Sequence, residues 1–172
     1  MTLDDIDRAL DEERPGPSGL ESALAHDTLA DVVHTPPVML GPDASLAEAM
    51  ELMRQHRRGH VLIVRDGKLE GIFTERDVLM KIAGKPIDVE HTPVSAYATR
   101  EPMTLPPDAV VAFALNKMVL EGFRHIPLVD ESDRPVGVVS MRNIIEYLAD
   151  FFSRDVLNLP PTHAAARKRD GA

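Results

Sequence analysis

The 172-residue chain is 44% hydrophobic and carries a formal net charge of -9, from 28 acidic and 19 basic residues. That length can bury a sizeable core as one domain or two small intimate ones, and the acidic balance weighs against a nonspecific nucleic-acid binder. There is no cysteine, which excludes disulfides, thiol catalysis and thiolate-bound zinc.

Part of the acidity is local. Residues 1–27 hold Asp4, Asp5, Asp7, Asp11, Glu12, Glu13, Glu21 and Asp27 against only Arg8 and Arg14. With Arg14-Pro15-Gly16-Pro17-Ser18-Gly19 inside it, this stretch reads as a flexible acidic segment broken between two short helical patches. It lacks the basic and apolar regions of a secretory signal, and no apolar run is long enough to span a bilayer. A cytoplasmic protein without a membrane partner is expected.

From residue 28 a pattern begins that the chain then repeats. A short strand is expected at 38–40, a helix at 45–56, strands at 61–65 and 69–73, and a helix at 75–83. Leu46, Ala49, Met50 and Met53 have the spacing of a helix with one buried face, and Ser45 with Glu48 has that of a capping box. Asp66-Gly67 between two apolar runs is a hairpin signal. Gly84 to Thr92, with Pro86, connects to a second set of elements near 103–105, 110–121, 126–130, 135–139 and 141–151.

The correspondence is residue by residue. Pro42-Asp43 returns as Pro107-Asp108, and His60 before Val61-Leu62-Ile63-Val64 returns as His125 before Ile126-Pro127-Leu128-Val129, each 65 positions on. The offset becomes 66 at Gly71 and Gly137, where Glu131-Ser132-Asp133-Arg134-Pro135 carries one extra residue in a turn. The chain therefore divides into residues 1–27, a first repeat at 28–85, a linker at 86–92, a second repeat at 93–150 and an extension at 151–172. Phe151-Phe152 and Val156-Leu157-Asn158-Leu159 of that extension would fold back on the core or cover a partner. Arg167-Lys168-Arg169 are too few to define a nucleic-acid surface. Each repeat alone is marginal in size, so the two are expected to bury their apolar faces together.

Both repeats end a strand on glycine and then begin a helix with a hydroxyl, an arginine and a small polar residue: Gly71-Ile72-Phe73-Thr74-Glu75-Arg76-Asp77 and Gly137-Val138-Val139-Ser140-Met141-Arg142-Asn143. The spacing of Thr74 and Asp77 suits reciprocal helix capping. It equally suits a ligand, with the hydroxyl and helix-end amides meeting a phosphate and the carboxylate accepting from vicinal ribose hydroxyls. Arg76 and His60 would add donors to the phosphate. In the second copy Ser140 and Arg142 keep the hydroxyl and the cation, while Asn143 offers an amide. Arg124-His125 makes that copy richer in phosphate-facing donors than Gly59-His60. The histidines at 26, 34, 56, 60, 91, 125 and 163 are dispersed, without a triad or compact ligand spacing, so neither a catalytic residue nor an intrinsic metal site is expected.

The duplicated plan and the two Gly-apolar-apolar-Thr/Ser-x-x-Asp/Asn motifs resemble a tandem pair of CBS domains, over roughly Thr28 to Asp150. The resemblance implies an α+β fold of two β-α-β-β-α repeats packed with pseudo-twofold symmetry, forming two clefts. It implies a stand-alone, non-enzymatic regulatory module that binds an adenosine nucleotide (AMP, ADP or ATP), less commonly S-adenosylmethionine or NAD. It further implies a homodimer acting on a separate effector protein. Asp77 and Asn143 would hold ribose; Thr74, Ser140, Arg76 and Arg142 would meet phosphate, joined by Arg124 and His125. Met39 and Met103, with the strand starts at His60-Val61 and His125-Ile126, would flank the base. The competing readings are a homodimerisation or interaction module without a physiological nucleotide and, at lower weight, a nucleotide-processing enzyme.

Overall fold

The computed structural model describes residues 19–33 and 36–150; the expectations for residues 1–18 and for the extension 151–172 lie outside the described residues. In chain order the elements are α1 (Gly19–His26), α2 (Leu29–Val32), β1 (Met39–Leu40), α3 (Leu46–His56), β2 (His60–Arg65), β3 (Lys68–Thr74) and α4 (Glu75–Asp77). A π-helical turn, Val78–Ile82, runs straight on from α4, and a 3-10 turn, Val94–Ala96, precedes β4 (Thr99–Arg100). The second repeat supplies α5 (Val111–Glu121), β5 (His125–Val129), β6 (Pro135–Ser140) and α6 (Met141–Ala149).

The duplication is visible at the level of register. In the first repeat β1 pairs parallel with β2, Leu40 opposite Ile63; 65 residues later the bridge between Leu105 and Leu128 is parallel too. The expected strand at 103–105 is reduced to that bridge. Both hairpins carry a one-residue irregularity at the same place, after Ile63 in β2 and after Leu128 in β5. Asp66 and Gly67 both have positive φ, 51° and 79°, the backbone of a type I′ turn. Buried residues on the helices repeat as well: Leu46, Ala49 and Met53 on α3, and Val111, Ala114 and Met118 on α5.

Strand alternation explains the unbroken apolar runs. In β2 and β3, Val61, Ile63 and Phe73 face the helices of their own repeat. Leu62 and Ile72 point the other way and pack with Val138 of β6. Each hairpin is thus buried on both faces, and the two repeats meet sheet to sheet.

The halves also exchange segments. Thr28 bridges Val110 at the start of α5, and Pro93 bridges Ser45 at the start of α3. Leu29 and Val32 consequently lie in the core of the second repeat with Val111, Met118 and Ile126, while Val94 lies in the core of the first. The helix α1, formed by residues of the acidic segment, is seated against α5. β4, near the start of the second repeat, completes the first repeat's sheet, Gly71 opposite Arg100. At Gly71 an added Cβ would stand 2.9 Å from the Thr99 carbonyl oxygen, so glycine is required for that strand to approach.

Candidate functional site

The motif turn forms as sequence spacing predicts. Thr74 is the N-cap of α4: its backbone N–H and hydroxyl both donate to Asp77 Oδ2, at 2.9 and 2.7 Å, and the Asp77 amide donates back to Thr74 Oγ1 at 3.3 Å. The second copy reproduces this with an amide, Ser140 N and Oγ donating to Asn143 Oδ1 at 3.0 and 2.6 Å. Capping therefore accounts for the polar pair in both repeats. The Glu75 amide is taken by the Gly59 carbonyl at 3.0 Å, so an anion at this turn meets side chains more than backbone donors.

Asp77 is buried, yet its other oxygen is engaged: Lys81 Nζ lies 2.7 Å from Oδ1 and also donates to the Tyr97 carbonyl at 2.8 Å. A carboxylate oxygen accepts more than one hydrogen bond, so acceptor capacity toward a diol remains. Sequence reading passed over Lys81; its signal was the i, i+4 spacing from Asp77 on one helix. In the second repeat Tyr147 takes this position and donates instead to Asp27 Oδ2 at 2.6 Å.

Around this turn lies a cavity of about 510 Å³ that neither repeat builds alone, within the usual size range for small-ligand clefts. The first repeat gives Gly59, Ile72 and the α4 face with Thr74, Arg76, Asp77 and Lys81. The lead-in to the second repeat gives Thr99, Glu101, Pro102 and Met103, and the start of β5 gives Phe123, Arg124 and His125. Its wall is apolar through Ile72, Pro102, Met103 and Phe123. Arg76 and Arg124 carry no ion pair among the described residues, leaving two guanidinium groups for an anion.

Of the expected site residues, Thr74, Arg76, Asp77, Met103, Arg124 and His125 come together here. His60, Val61 and Ile126 lie in the interior instead, with Val61 and Ile126 fully buried. Met39, half exposed, lies on β1 of the first repeat, and Ser140, Arg142 and Asn143 form the corresponding motif turn of the second; none of the four lines this cavity. Arg142 there is paired with Glu146 at 2.7 Å. One grouping differs from the sequence reading. Arg124 and His125 belong to the same repeat as Ser140 and Asn143, but they face the Thr74–Asp77 cavity. The reason is the face-to-face packing: the strand start of one repeat looks across the interface at the helix start of the other.

His60 and His125 meet at that interface, ring centroids 4.5 Å apart and tilted by 46°. Burial drives the His60 pKa down to about 3, helped by His125 and Arg58. Burial, then Arg124, lowers that of His125. His60 Nδ1 is buried with no hydrogen-bond partner among the described residues, so a neutral ring with this nitrogen unprotonated fits the site best.

The two repeats are matched as well by a family model: that for the CBS domain covers residues 29–84 and again 94–150. The chain belongs to the CBS domain family. This CBS pair is 29% identical over 123 residues to an uncharacterized 17.7 kDa protein of Acidianus ambivalens, covering 71% of this chain and 73% of that one. It spans a fifth or less of several longer curated relatives. Among solved structures it is similar to a CBS domain protein from Pyrobaculum aerophilum complexed with AMP. The identity is 25% and the TM-score 0.64, over 72% of this chain and 98% of that one. It is also similar to the CBS domain pair of protein MJ0100, in complex with 5′-methylthioadenosine and S-adenosyl-L-methionine. There the identity is 28% and the TM-score 0.63, over 70% of this chain and 98% of that one.

Proposed function

We propose that this CBS pair is a regulatory module that binds an adenosine nucleotide in the cavity between the repeats. The observation that carries the reading is the convergence, from both repeats, of a buried carboxylate, an apolar wall and two unpaired arginines on one cavity. Asp77 would accept from ribose hydroxyls, Arg76 and Arg124 would meet phosphate, and Ile72, Pro102 and Met103 would hold the base. The two related structures with adenosine-containing ligands support this class of ligand. Binding rather than turnover is the role assigned, with output through a separate effector in the cytoplasm. Regulation requires that the ligand favour one conformation over another.

A homodimer fits the outer faces, where Leu79, Met80, Val119, Leu120 and Ile145 are largely exposed. One observation favours a second reading, an interaction module without a nucleotide: helix capping already accounts for Asp77 and Asn143. Calorimetric titration of nucleotide-free protein with AMP, ADP, ATP, S-adenosylmethionine and NAD separates the two. Saturable binding of an adenine nucleotide, recovered intact and weakened by Asp77→Ala, is expected; Asn143→Ala reports on the second cleft. Absence of saturable binding by a stable dimer would establish the second reading, and conversion of the nucleotide would establish an enzyme.

A further inference from the structure

The charged side chains that line the composite cavity are Arg76, Lys81 and Arg124 on one side of the balance and Glu75, Asp77 and Glu101 on the other. Lys81 and Asp77 neutralise one another at 2.7 Å. Arg76, Arg124, Glu75 and Glu101 have no ion pair among the described residues. Binding of a nucleotide employs the two arginines and Asp77 and leaves the two glutamates without a task. Neither glutamate belongs to the repeated plan: at the offsets of 66 and 65 their counterparts are Met141 and Pro36, whereas Arg76 returns as Arg142.

The backbone holds both glutamates at the cavity. Glu75 is the first residue of α4, and its carboxylate lies over Gly59, where an added Cβ would stand 3.0 Å from Oε2. Glu101 follows β4 directly; its amide donates to the Glu70 carbonyl at 3.2 Å, and its φ is 46°. That is left-handed backbone, which favours glycine or asparagine, so a glutamate stands there against the local preference. Two unpaired guanidinium groups match the roughly two negative charges of one phosphate monoester near neutral pH. A second or third phosphate adds negative charge, finds no unpaired cation in the lining, and has two carboxylates beside it instead, a repulsion that water screens less inside a cleft than in the open. We propose, resting on the nucleotide reading above, that Glu75 and Glu101 are specificity-determining residues that restrict the ligand to an adenosine monophosphate and disfavour the di- and triphosphate.

Calorimetric titration of the full chain with AMP, ADP and ATP, in low-salt buffer containing EDTA, tests this; the binding step that belongs to this cavity is the one that Asp77→Ala weakens. AMP is expected to bind at least about tenfold more tightly than ATP, with ADP between them. Both glutamates are exposed, so the double variant Glu75→Gln, Glu101→Gln leaves the core untouched. In it ATP should gain at least about fivefold more affinity than AMP does. Parent protein that binds ATP as tightly as AMP, or a variant whose preference is unchanged, overturns the proposal and leaves the nucleotide reading standing. ATP binding that added magnesium strengthens in the parent but not in the variant assigns the glutamates to a cation and overturns it as well. Absence of saturable AMP binding by the parent overturns the nucleotide reading itself, and the monophosphate preference with it.

Discussion

The imidazole of His60 lies against that of His125 at the centre of the molecule, each ring belonging to the strand pair that carries one of the two motifs. Burial holds both rings neutral in the folded state, His60 down to about 3, whereas in the unfolded chain each titrates near about 6.5. Between these values the unfolded chain binds more protons, so stability rises with pH and is lost as pH falls below about 6.5. From pH 7 to pH 5 His60 should cost about 2 kcal/mol, roughly 1.5 units at about 1.4 kcal/mol each. Chemical denaturation at the two pH values measures it. His60→Phe should flatten the difference, and an undiminished loss in that variant would clear His60 of responsibility.

The second motif serves as a built-in control for the first. Asn143 makes with Ser140 the same bonds that Asp77 makes with Thr74, so Asp77→Asn should leave the cap intact and stability within about 1 kcal/mol of the parent. Asp77→Ala removes the reciprocal bonds and should cost about 1–2 kcal/mol. Equal destabilisation by both substitutions, in urea titrations, would mean that the Lys81 ion pair dominates.

The two repeat glycines should not tolerate alanine equally. At Gly71 the new Cβ meets backbone, the Thr99 oxygen at 2.9 Å; at Gly137 it meets the Val33 Cγ1 at 3.1 Å, and a side chain yields more readily than a strand. Gly71→Ala is expected to cost about 1–3 kcal/mol and to displace the cavity wall that begins at Thr99. Gly137→Ala should cost less. Comparable midpoints for the two variants would contradict the close approach of β4.

Arg57→Gly should stabilise the fold by roughly 0.5–1 kcal/mol, since it matches Gly122 at the equivalent helix end and relieves a left-handed arginine. Thermal melts of the single variant check this. A drop in midpoint would show that the Arg57 side chain contributes more to stability than its backbone costs.

Much of this was readable because the sequence states it twice. The offset of 65 linking Pro42 to Pro107 and His60 to His125 located the elements, and the hydroxyl-to-Asp/Asn spacing located the caps. Most of what escaped depends on residues distant in the chain. Thr99 and Arg100 form a strand through an edge supplied by β3, and so short a segment has no periodicity of its own. Arg124 and Asp77 line one cavity because the repeats are apposed, which their separation along the chain conceals. The π-helical turn at Val78–Ile82 leaves apolar spacing that reads as an ordinary helix.

The exchanged lead-in segments give the two halves different histories during synthesis. Every buried residue of the first core lies between Leu46 and Val94, and its last strand is complete at Arg100, so that half can close while the ribosome is still making the rest. Leu29 and Val32, made earlier, have their partners between Leu105 and Ile144. The oldest part of the described chain is therefore the last to find its place, and until then its apolar side chains are what a nascent-chain chaperone would meet.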